Sequence, residues 1–144
     1  DIDDRVNGPD YAAPVIQTAI TALLTDLRLS GSPMILAGFS QGGMMSLHCG
    51  LRLNPAPAAI VSFSGALLRH DDLSASATTP YPPVQLVHGS DDQVVPCALM
   101  HEAARILSPL GVEVETVERP GLAHGIDPDG LTASIDFLAA HITD

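Results

Sequence analysis

Four short strand-like runs, Met34 to Ala37, Ala58 to Phe63, Val84 to Val87 and Val112 to Val117, are spaced along the chain by helical segments or polar loops. The first is wholly apolar, which suits a strand covered on both faces, as parallel strands with helices on each side are. In the fourth, Glu113 and Glu115 alternate with Val112, Val114 and Val117. One face or edge of it is therefore wet, and it reads as the last strand of the sheet. Helices are expected over Asp10 to Leu27, Gln41 to Leu53, Pro96 to Leu107 and Thr132 to Ile142. The first of these follows a turn at Asn7-Gly8-Pro9 and places Val15, Ile16, Ala19, Ile20, Leu23, Leu24 and Leu27 at helical spacing. The interval His70 to Pro83 is polar and proline-rich, and reads as a loop over the strand ends. This order argues for an open, mostly parallel α/β sheet flanked by helices, with its active site beyond the carboxyl ends of the strands.

The chain has 144 residues, a length that suits one core, so residues 1–144 are expected to form a single domain. Six basic against seventeen acidic side chains give a formal charge of −11. Such a surface repels phosphate backbones and anionic headgroups, so nucleic acid is not an expected partner. The acidic residues are spread along the chain and imply no metal by themselves. No apolar run approaches the roughly 18 residues needed to span a bilayer. A cytoplasmic location is the working expectation, although Asp1 is not a methionine and a targeting segment ahead of it stays open. Cys49 and Cys97 stand alone without metal-ligand spacing and read as two small buried apolar residues.

The chemistry is concentrated in three places. "ILAGFSQGGMM", Ile35 to Met45, is an apolar strand, then G-x-S-x-G at Gly38, Ser40 and Gly42, then a helix-forming run. That is the setting of a nucleophile elbow, where a serine is held out on a sharp turn. Gly38 and Gly42 are expected to lack side chains because strand end and helix come close together there. A serine hydroxyl needs a base, and the base needs a third group to fix its tautomer. "VHGSDDQVVP" places Asp91 and Asp92 beyond the third strand, and "RPGLAHGIDP" places His124 beyond the fourth. Serine, acid and histidine thus follow different strands in the chain order of the α/β-hydrolases. The helix starting at Gln41 points its first amides at the reacting oxygen, so the Gln41 N–H is the expected first oxyanion donor. His88, at a strand end, is expected to support the turn carrying the acid, and the remaining histidines are read as packing or surface residues.

With these residues in hand, the chain resembles the phospholipase/carboxylesterase group of α/β-hydrolases, which includes acyl-protein thioesterases and small bacterial carboxylesterases. The resemblance rests on "LAGFSQGG" at Leu36 to Gly43, "FSGALL" at Phe63 to Leu68, "HGSDDQVVP" at His88 to Pro96 and "AHGI" at Ala123 to Ile126. It implies the acid is Asp92 rather than Asp91, because the H-G-x-x-D-x-x-V-P pattern falls there. It also implies further amino-terminal strands and a His-Gly loop supplying a second oxyanion amide, which this sequence lacks. The Ser40 strand would then present a bare edge, to be completed by an upstream segment or a second copy of the chain in a homodimer.

The expectation is a serine hydrolase on small esters or thioesters, needing no cofactor and no metal, with Ser40, Asp92 and His124 as its triad. Phe39, Met44, Leu67 and Leu68 are the candidates for an acyl pocket. The rival reading is a non-catalytic domain, or inactive fragment, that keeps the fold and uses its pocket or sheet edge for binding.

Overall fold

The structure, a computed structural model, describes residues 2–76 and 80–142. Its elements are α1 (Ile2–Asp26), β1 (Ile35–Phe39), α2 (Gln41–Gly50), β2 (Ala59–Phe63), β3 (Val84–Gly89), α3 (Ala98–Leu107), β4 (Val114–Arg119) and α4 (Pro128–His141), with a 3-10 turn at Ser108–Leu110 before β4. The four strands form one parallel sheet in the order β1-β2-β3-β4. The expected parallel α/β architecture is therefore present.

Alternation along the strands divides the core in two. Ile60 of β2 and Val84 and Leu86 of β3 face α2 and α3, where they meet Leu47, Leu51, Met100, Ala103 and Leu107. Ala59, Val61 and Phe63 of β2, with Val87 of β3, face the other way, toward Phe137 of α4. Every residue of β2 and β3 is buried. Each fully buried Leu or Ile here contributes roughly 1.5–3 kcal/mol of transfer free energy, so the two central strands anchor the sheet.

Differences from the sequence reading have local causes. β1 is half exposed rather than covered on both faces, because it forms an edge of the sheet among the described residues. The turn expected at Asn7-Gly8-Pro9 is absorbed into α1, which runs through Pro9 and Pro14. Each proline removes one amide from the helical ladder, but Pro9 and Ala13 are buried at i, i+4 spacing on a helix that packs against α2. Tyr11 and Val15 on the opposite face are exposed, and so are Leu23 near the end of α1 and Leu27 just beyond it. α4 starts at Pro128, four residues earlier than expected, because Asp127 caps it by accepting from the Gly130 amide at 2.9 Å. β4 is the far edge, as its alternating glutamates implied. Residues 77–79 of the expected loop lie outside the described residues. Among the described residues no helix is long and apolar enough to cross a membrane.

Candidate active site

β1 and β2 end in register at Phe39 and Phe63, and the residue after each has a positive φ, 54° at Ser40 and 48° at Ser64. The Ser40 amide donates to the Phe63 carbonyl at 2.8 Å, which continues the sheet for one more bond before the chain turns into α2. A left-handed backbone is unfavourable for a serine, and here it is held by that bond and by the Met44 amide donating to the Ser40 carbonyl at 3.0 Å.

The motif's two glycines are not equivalent. A Cβ on Gly38 would lie 2.2 Å from the Gly42 carbonyl carbon, whereas one on Gly42 would meet nothing within 4 Å. The strand end and the helix do come close, but the side chain that must be missing on the helix is that of Gly43, whose Cβ would sit 2.7 Å from Ser62 Oγ and 3.0 Å from the Gly38 carbonyl. The reason is helical phase: Gly43, not Gly42, faces the sheet.

The loops after β3 and β4 bring the other two residues to Ser40. They are tied together by the Ser90 amide donating to the Arg119 carbonyl and the Asp91 amide donating to the Leu122 carbonyl, both at 3.0 Å. The Gly121 amide donates to Ser90 Oγ at 2.8 Å. Gly89 lets them cross, since a Cβ there would lie 2.1 Å from the Leu122 carbonyl oxygen. At the end of β4, Arg119 grips Asp127, donating from Nε to both carboxylate oxygens at 3.1 and 2.9 Å.

Between these loops, His124 Nδ1 donates to Asp92 Oδ2 at 2.7 Å, and the hydroxyl of Ser40 donates to His124 Nε2 at 3.0 Å. Both lengths fall in the range that proton transfer requires. The Asp92 side chain is fully buried. Its Oδ1 accepts from the amides of Val94 and Val95, both at 2.9 Å. Burial is the largest single influence on this carboxyl and would raise its pKa. Hydrogen bonds from His124 and the Val95 and Val94 amides outweigh it and hold the group below the usual carboxylate range. Asp91 is exposed and, among the described residues, its side chain accepts only from its neighbour Ser90. His88, which is buried, reaches Asp92 Oδ2 at 3.2 Å and donates from Nε2 to the Val95 carbonyl at 2.8 Å, bracing the turn that carries the acid.

α2 begins at Gln41, so its first amides have no acceptor within the helix and face the space beside Ser40. Of the four apolar candidates, Phe39 lies against the His124 ring, with centroids 4.7 Å apart. Met44 is half buried on the first turn of α2. Leu67 packs instead on the core cluster around α3 and lines a small cavity of about 70 Å³ with Leu99 and Ile106. Leu68 places its carbonyl 3.5 Å from His48 Nδ1. A cavity of about 350 Å³ lies between Arg52, Asp72, Leu73 and Tyr81. It is at the amino end of the sheet, where α2 finishes, and so lies away from Ser40, Asp92 and His124.

A family model described as Phospholipase/Carboxylesterase matches residues 3–142. The chain belongs to the phospholipase/carboxylesterase family. Acyl-protein thioesterase 1 of Gibberella zeae is 34% identical over 109 residues, which are 73% of this chain and 46% of that protein. Esterase YpfH of Escherichia coli K12 is 30% identical over 137 residues, covering 94% of this chain and 57% of its own length. The crystal structure of esterase PE8 superposes with a TM-score of 0.87 at 37% identity, over 96% of this chain and 64% of that one. The chain spans about half the length of the curated relatives it matches.

Within this family frame, the residues that sequence reasoning passed over are Phe39 as a neighbour of His124 and the Arg119–Asp127 clamp. The clamp had a signal in Asp127-Pro128, a helix cap followed by proline at the first helical position.

Proposed function

We propose that the chain carries the catalytic machinery of a serine hydrolase acting on carboxylic esters or thioesters through an acyl-enzyme. The observation that supports this most is the continuous path from Ser40 Oγ to His124 to buried Asp92 at 3.0 and 2.7 Å, starting from a serine with a φ of 54°. Asp92 fixes the tautomer with the proton on Nδ1, which leaves Nε2 free to take the Ser40 proton as Oγ attacks the acyl carbon. The Gln41 amide and the amino end of α2 stabilise the oxyanion. The proton then passes from His124 to the departing alcohol or thiol, and water, deprotonated by the same imidazole, releases the acid.

The second oxyanion amide comes, in this reading, from the segment that pairs with the open edge of β1, upstream sequence or a second copy. Losing one such donor typically costs about 10²–10³ in rate, so turnover is to be measured on the full-length protein. The names of the relatives, an acyl-protein thioesterase and two esterases, agree with this substrate class.

Labelling with a fluorophosphonate probe tests the reading. Stoichiometric modification of Ser40, lost in Ser40→Ala and His124→Ala, is the expected result. A folded wild-type protein that resists the probe would overturn it in favour of a non-catalytic domain that binds through the same surface.

A further inference from the structure

We propose that Cys97, His101 and Glu118 form a site for one borderline-soft divalent cation of the zinc type. Cys97 caps the amino end of α3, His101 follows one turn later on the same face, and Glu118 stands beside them on β4. Their thiol, imidazole and carboxylate ligand atoms all lie within 4.8 Å of one another. Sequence spacing does not show this, because the third ligand comes from a different element.

The donor set is the kind zinc accepts: one sulfur, one nitrogen and one oxygen, with the fourth tetrahedral position left to water. Zinc ligands at their usual bond lengths stand roughly 3.3–3.6 Å apart. His101 Nε2 and Glu118 Oε2 are already 2.9 Å apart, and side-chain exposures of 58% and 46% leave both free to adjust and open to solvent.

Position gives the site a consequence. Cys97 ends the loop that carries Asp92, and Glu118 lies just ahead of the loop that carries His124, in register with His88. A bound cation fastens α3 to β4 behind both loops.

The test uses the chelator-treated chain titrated with Co²⁺ and then Zn²⁺, and does not depend on hydrolysis. Expected are one Co²⁺ per chain, a thiolate-to-cobalt charge-transfer band, and its displacement by Zn²⁺. The band should vanish in Cys97→Ser and persist in Cys49→Ser. Zn²⁺ should raise the melting temperature of the wild type but not of Cys97→Ser. Since loss of an outer-shell partner alone costs 10–100-fold in affinity, His101→Asn and Glu118→Gln should each weaken Zn²⁺ by about tenfold or more. These two exposed positions decide the matter if Cys97→Ser does not fold. Absence of the band, its survival in Cys97→Ser, or unchanged affinity in both exposed variants would overturn the site.

Discussion

The ring of Phe39 lies 4.7 Å from that of His124, with the planes tilted by 46°. Phe39 is the residue immediately before Ser40, so the segment that holds the proposed nucleophile also limits the proposed base. The bond from Nδ1 to Asp92 leaves the imidazole free to pivot about that contact, and the Phe39 ring restricts the pivot. Phe39→Ala should therefore lower kcat on a p-nitrophenyl ester by up to about 10²-fold, the scale of a small misplacement, with Phe39→Leu losing less. Steady-state kinetics on the two variants checks this, and an unchanged kcat in Phe39→Ala would remove the restraint from the mechanism.

Asp91 and Asp92 are neighbours in sequence with opposite surroundings. Asp92 is buried and accepts from His124 and two amides, while Asp91 faces solvent. Asp92→Asn keeps the shape but donates where it should accept, which favours the wrong imidazole tautomer. A loss on the order of 10⁴ in kcat is expected, as for other triads treated this way, while Asp91→Asn should retain near-normal turnover. Equal losses in the two would show that the acid has been misassigned.

The glycines flanking Ser40 should respond differently to a methyl group. Gly38 is walled by backbone, so Gly38→Ala must push β1 and α2 apart, at a cost of about 1–3 kcal/mol or more. Gly42→Ala enters open space on a helix and should be neutral, or stabilising by less than about 1 kcal/mol. Urea denaturation of both variants would separate these outcomes. Comparable destabilisation would mean that the elbow is packed differently.

Much of this is legible in the sequence, for a physical reason. Strand runs, breakers and the order Ser40, Asp92, His124 are local or sequential properties, and the parallel α/β plan follows from them. What was illegible depends on contacts between elements. The run Ile35 to Phe39 by itself does not say that β1 has a strand on one side only, an expectation that rests on the family resemblance, and helical phase, not composition, decides that Gly43 and not Gly42 meets Ser62. Cys97 looked isolated because Glu118 reaches it from β4, 21 residues later in the numbering. Asp92 could be chosen over Asp91 only through a family pattern, whereas burial separates them at once.

His141 closes α4 with both ring nitrogens facing acceptors. Nδ1 donates to the Phe137 carbonyl at 2.8 Å and Nε2 to Glu113 Oε1 at 3.1 Å. Only the imidazolium can make both bonds, and a positive charge also suits the carboxyl end of a helix. The bond to Phe137 is the largest influence, burial opposes it, and Glu113 and Glu115 add to it, so the pKa is raised above the ordinary histidine value. A group whose folded pKa is raised stabilises the fold fully below its unfolded value of about 6.5 and loses that contribution as the pH climbs through the higher folded value. The melting temperature of the wild type should therefore exceed that of His141→Gln by more at about pH 5.5 than at about pH 9. Other titrating groups are common to both proteins and cancel in the difference. A gap that stays constant with pH would show that His141 contributes by packing on Phe137 alone.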